Sequence, residues 1–118
     1  MESQKNANNL NDKNTNRSPM IQSGSAIMDD GWKEHGKHGH MTLKSEGVKI
    51  STTYVAFSKE FDEIPSIHVS LSRIDTEGEV KLHVYANDIT RLGFNLIFKT
   101  WNYSQIWSAE ASWIAYVN

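Results

Sequence analysis

Between Ile89 and Val117 the chain reads ITRLGFNLIFKTWNYSQIWSAEASWIAYV, and few architectures can accommodate such a stretch. Three of the four tryptophans, Trp101, Trp107 and Trp113, lie in it, with Phe94, Phe98, Tyr103 and Tyr116. Aromatic and β-branched residues at this density suit a pleated, half-buried surface better than a helix. From Phe94 onward, one parity holds Phe94, Leu96 and Phe98, and the other holds Asn95, Ile97, Lys99 and Trp101. That period of two is expected when one face of a sheet is buried. A second run, Ile106 to Val117, puts Ala109, Ala111, Trp113, Ala115 and Val117 on one parity and Ser108, Glu110 and Ser112 on the other. Small alanines around one indole predict a close sheet-on-sheet core that Trp113 fills. Asn102-Tyr103-Ser104 between the runs has the punctuation of a hairpin with a short connection.

Composition limits what such a core can serve. At 118 residues the chain makes one domain, and its formal net charge of −2 argues against nucleic acid as the main partner. It has no cysteine, so a disulfide framework, a thiolate nucleophile and a zinc–thiolate site are all ruled out.

Met1 to Ser18 is dominated by asparagine, with Leu10 its only large apolar residue after the first methionine. Too little surface can be buried there to offset chain entropy, and residues 1–18 read as a disordered, asparagine-rich tail ahead of a domain over 19–118. The opening residues lack the apolar core of a signal peptide, and no run is long enough to span a membrane. The expectation is a cytoplasmic protein, or one exported by a non-classical route, without membrane insertion.

Pro19 to Met28 reads as a first strand, with Gly24 a bulge or close-approach point. Asp29-Asp30-Gly31 turns the chain. Lys33 to Gly47 has neither period and reads as a long glycine- and histidine-rich loop. Tyr54 to Phe57 is a short apolar strand, followed by an irregular corner at Phe61, Ile64 and Pro65. Ile67, Val69 and Leu71 alternate with His68, Ser70 and Ser72; after a turn at Gly78, Val80, Leu82 and Val84 alternate with Lys81, His83 and Tyr85. Asp88 to Arg91 leads back to the opening pair. The sum is an all-β chain, a small six-stranded antiparallel β-sandwich.

Enzyme signatures are missing: there is no phosphate-cradling glycine loop, no nucleophile elbow and no paired acid in a helical frame. No cofactor is implied. His35, His38 and His40 could gather imidazoles, but their spacing matches no standard zinc pattern, and solvated loop histidines are the simpler reading. The other constellation is aromatic and polar. Trp101 and Trp107 flank Asn102 to Ile106, and His83 is on the non-core parity of its strand. A sugar ring offers an apolar face to an indole and fixed hydroxyls to amide, imidazole or carboxylate groups, so these types suit carbohydrate. Tryptophans in a sandwich also serve cores and subunit interfaces.

Ile21-Gln22-Ser23-Gly24, Gly31-Trp32, Phe57-x3-Phe61-x3-Pro65, Gly93-Phe94, Thr100-Trp101 and Ser112-Trp113-Ile114-Ala115 follow one another in an order that closely resembles the H-type lectins, among them snail agglutinins and the C-terminal domain of the discoidins. The resemblance covers about Met20 to Tyr116. It implies a six-stranded sandwich that forms a homotrimer, sometimes paired into a hexamer, and binds galactose and N-acetylgalactosamine at clefts between subunits. Tyr85, Ile97 and Trp101 would then be covered by a neighbouring protomer.

Carried over by position, the family's stacking tryptophan matches Trp101, and an aromatic lining the same pocket, commonly tyrosine, matches Trp107. Asn102 stands where the snail proteins have histidine and can both donate and accept. His83 stands where they have arginine, so a planar cation is replaced by a titratable ring. Glu46, the only acidic side chain between Glu34 and Glu60, is the candidate loop carboxylate. The resemblance therefore implies a non-enzymatic lectin whose partners are glycans on glycoproteins or cell surfaces. The other reading is an oligomeric structural or interaction module of the same fold without sugar binding.

Overall fold

The computed structural model describes residues 20–28, 41 and 47–118. Six antiparallel strands run in the order β1 (Met20–Ile27), β2 (Lys49–Ala56), β3 (Ser66–Glu77), β4 (Leu82–Asn87), β5 (Gly93–Thr100) and β6 (Gln105–Val117). They form two three-stranded sheets, β1-β6-β3 and β2-β5-β4. The C-terminal stretch thus supplies the central strand of each sheet. A central strand has neighbours on both sides and a second sheet over its inner face, which is why these two runs carry the densest apolar sequence.

Phe94, Leu96 and Phe98 of β5 and Ala109, Ala111 and Ala115 of β6 are fully buried, with Trp113 between them. The alanines leave room for the large rings. Phe57 meets Phe61 edge-on at 4.8 Å and lies 5.8 Å from both Phe94 and Trp113; Phe94 meets Trp113 edge-on at 5.5 Å. Each such pair adds about 0.5 to 1.5 kcal/mol beyond the area it buries. The Phe57–Pro65 corner is tied to the β4–β5 hairpin by Phe57 N–H to Leu92 O (2.9 Å) and Phe61 N–H to Arg91 O (3.0 Å). Its closing proline is buried, whereas Ile64 faces solvent.

Several expectations change. The close turn after Trp101 does not close a hairpin: β5 pairs with β2 and β4, while β6 pairs with β1 and β3. It is a corner between sheets, which lets both strands be central. β2 extends from Lys49 rather than from Tyr54, and β3 continues to Glu77 before Gly78 turns at φ 76°. Gly24 is a close-approach point, paired with Trp113 in a regular ladder. A Cβ there would meet the indole at 3.0 Å. Ile97, on the outer parity, is only 5% exposed within the single chain, so it needs no neighbouring protomer to cover it. Met41, from the stretch read as an aperiodic loop, is fully buried in the core, and its carbonyl accepts from Ile106 N–H at 2.9 Å. The N-terminal tail, the Asp29–Gly31 turn, Trp32, the histidines at 35, 38 and 40, and Glu46 lie outside the described residues.

Candidate functional site

At the end of the sandwich where β5 stops and β6 starts, Trp101 to Ser104 make a four-residue turn. Asn102 and Tyr103, its two central residues, both have positive φ, 63° and 68°. Two successive left-handed residues mark a type I′ turn, closed here by a long bond from Ser104 N–H to Trp101 O (3.4 Å). Asparagine tolerates this backbone; a bulky aromatic does so at a cost.

What holds the strained turn is a buried polar anchor beneath it. Ser104 is almost fully enclosed, and its three polar atoms are all used. Its N–H closes the turn, its hydroxyl accepts from Lys81 N–H at 2.8 Å, and its carbonyl accepts from Lys49 Nζ at 2.7 Å. Thr100, also buried, donates its hydroxyl to the Lys81 carbonyl. Lys49, the first residue of β2, is only 2% exposed, and burial pulls its pKa below the usual lysine value. The order of the chain around this anchor, β2 start, β4 start and β5 end, follows from the register Lys49↔Thr100↔Leu82.

Above the anchor the side chains point out. Trp101 is 36% exposed, Tyr103 52% and Trp107 41%. Trp107 owes its direction to a β-bulge: Asp75 pairs with Ser108 and Thr76 with Ile106, leaving Trp107 as the extra residue on β6. Bulges re-aim side chains beside sites in this way. His83 lies exposed on the outer face of β4, opposite Lys99 and 4.4 Å from the Tyr85 ring. Trp101, Asn102, His83 and Trp107 are therefore brought to one end of the sandwich, with Trp107 carried by the other sheet. Neither exposed indole stacks on another ring among the described residues. Tyr103, Lys49 and Ser104 are the members that pattern reading misses. Only the chemical oddity of a lysine on the inward parity of β2 hints at one of them.

Two depressions of about 290 Å³ lie elsewhere. One, bounded by Glu60, Ile64, Thr90, Arg91 and Leu92, is at the opposite end; the other, bounded by His68, Ser70, Ser112 and Ile114, is on the outer face of the β1-β6-β3 sheet. Among the described residues no cluster of three or more potential metal ligands occurs, and no helix is long and apolar enough to cross a membrane.

Among the described residues the fold is a two-layer antiparallel sandwich without helices, with partly exposed aromatic rings at the corner between its sheets. The family model of the H-type lectin domain matches residues 52–116, more than half of the chain. The chain belongs to the H-type lectin domain family, a family of carbohydrate-binding domains. Discoidin-1 from Dictyostelium discoideum is 31% identical over 64 residues, covering 52% of this chain and 25% of that protein. A protein from Fuscovulum blasticum described as ATP synthase subunits region ORF 7 is 33% identical over 63 residues, covering 52% of this chain and 55% of its own. The solved structure of discoidin II from Dictyostelium discoideum superposes with a TM-score of 0.69 at 22% identity, covering 83% of this chain and 36% of that one. The tailspike protein gp49 of Pseudomonas phage LKA1 shares the fold more distantly, with a TM-score of 0.56 at 14% identity over 85% of this chain and 15% of that one. The chain thus spans about half the length of one curated relative and a quarter of the other.

Proposed function

We propose that the protein is a non-enzymatic, multivalent lectin for galactose-type sugars, N-acetylgalactosamine among them, acting in adhesion or glycan recognition. Trp101 stacks on the apolar face of the sugar and Asn102 and His83 bond its hydroxyls, while Trp107, which faces out of the opposite sheet, lines the cleft from a neighbouring protomer. Glu46 is the proposed carboxylate. The observation that carries this reading is Trp101, about one-third exposed, on a turn anchored from below through Ser104. A rigid platform loses little entropy on binding, which matters for a ligand that offers few contacts.

Trp101 and Trp107 ride on different sheets, so a single chain leaves the cleft shallow. A neighbouring chain would deepen it, in keeping with a trimer. Support for such contact is the exposure of Ile21 and Ile114 on the outer face of the β1-β6-β3 sheet. Three weak sites on one trimer gain about a hundred- to ten-thousand-fold in apparent affinity on a multivalent surface.

The test is binding to an array of immobilised galactose- and N-acetylgalactosamine-terminated glycans. Binding that is lost in Trp101→Ala with the oligomer intact is the expected result. A stable oligomer with no signal at high glycan density would favour a structural or interaction module of the same fold.

A further inference from the structure

We propose that Tyr103 is a ligand-contacting residue of the carbohydrate site and that Lys49 is the positioning residue that holds it in place. This rests on the lectin reading above and extends its contact set. Tyr103 holds a left-handed backbone that disfavours a bulky side chain, yet its ring is half exposed and outside the hydrophobic core. A tyrosine kept in a costly conformation without core burial in return is a sign that the surroundings, not the residue, set the geometry. The surroundings are identifiable. Lys49 Nζ reaches 2.7 Å to the carbonyl of Ser104, immediately after Tyr103, and Lys81 N–H fixes the hydroxyl of the same serine at 2.8 Å.

Burying a lysine ammonium is unfavourable in itself. Here it aims a charge-assisted donor at the end of the turn and so restrains Asn102 and Tyr103 between Trp101 and Ser104. Tyr103 then holds its half-exposed ring two residues from Trp101 in the same turn, and a phenol suits the apolar face and rim hydroxyls of a pyranose.

Tyr103→Gly tests this directly, because it yields the Asn-Gly pair that type I′ turns favour. The expected result is a melting temperature unchanged or raised by a few degrees, with binding to galactose-terminated glycans weakened roughly three- to tenfold, about the loss of one aromatic contact. Tyr103→Phe keeps the ring and should retain most of that binding. Lys49→Met removes the donor at similar length; it should speed amide hydrogen exchange across Trp101 to Ser104 and weaken glycan binding. Combined with Tyr103→Gly, it should add less than its separate effect, since both act through one contact. If Tyr103→Gly leaves the glycan profile unchanged while Trp101→Ala abolishes it, Tyr103 is not a contact and the proposal is wrong. Fully additive losses, or unaltered exchange in Lys49→Met, would remove Lys49 as its positioning residue. Absence of any glycan binding by the wild-type protein would overturn the lectin reading along with this one.

Discussion

Gly93 and Gly24 both pack against something large, but what they meet differs in kind. A Cβ on Gly93 would run into the Val55 carbonyl oxygen and the Tyr54 hydroxyl, and a backbone carbonyl inside a ladder cannot move aside. A Cβ on Gly24 would meet only the edge of the Trp113 ring, at 3.0 Å, where a few tenths of an ångström of ring tilt suffice. Gly93→Ala should therefore destabilise by about 1 to 3 kcal/mol or more, and Gly24→Ala by less, as read from urea unfolding. Lys49 gives a second residue-scale expectation. Its native pKa is lowered by burial, so between that value and the unfolded one, near about 10.4, the unfolded chain binds more protons. Stability due to this residue thus rises with pH across the alkaline window. Unfolding curves of wild type and Lys49→Met should shift relative to each other in the wild type's favour as pH climbs through that window.

Strand β6 shows how one element sorts identical side chains. Trp113 and Trp107 are six residues apart, which would put them on the same face of an unbroken strand. The bulge at Trp107 reverses the parity, so Ile106 and Ala109 both face inward and Trp107 faces out. Trp113→Ala should accordingly cost about 3 to 5 kcal/mol, while Trp107→Ala should cost less than about 1 kcal/mol and show its effect in ligand binding instead. Thermal unfolding of the two variants separates these outcomes. The β4–β5 hairpin is set by side chains in a comparable way. The Thr90 hydroxyl accepts from Leu92 and Gly93 N–H at 3.0 and 3.2 Å, and Asn95 Nδ2 donates to Asp88, itself at φ 50°. Those local bonds explain why this pair of consecutive strands stays in one sheet.

For the whole molecule, the two outer faces differ. On the β2-β5-β4 sheet, Ile97 sits in a row between Thr52 and Tyr85 and is already covered, leaving Ile50 and Tyr54 of β2 as the exposed apolar groups on that face. On the β1-β6-β3 sheet, the row Ser23–Ile114–His68 lies beside the row Ile21–Tyr116–Ser66, with His68 stacked on Tyr116 at 5.7 Å and both isoleucines open to solvent. If this face carries the proposed trimer contact, Ile114→Glu should leave the fold intact by circular dichroism. Light scattering should then report a smaller species, and binding to dense glycan surfaces should fall by the avidity factor, about a hundredfold or more. An unchanged mass would place the contact elsewhere on the molecule.

Much of this architecture is local and therefore legible in residue order. Alternation at Phe94–Phe98 and Ala109–Val117 marks two strands and their buried faces, and the alanines around Trp113 mark the close packing of two layers, because strand periodicity converts sequence position directly into side-chain direction. That Trp101 and His83 lie off the core parity is legible on the same ground. Tertiary structure alone decided which sheet each strand joined, that Ile97 is covered by its own chain, that Met41 enters the core, and that Lys49 reaches Ser104 across 55 positions of sequence. These depend on pairing between distant segments and on the space left when two sheets close on each other. A periodic pattern fixes only which way a side chain points, not what it will meet.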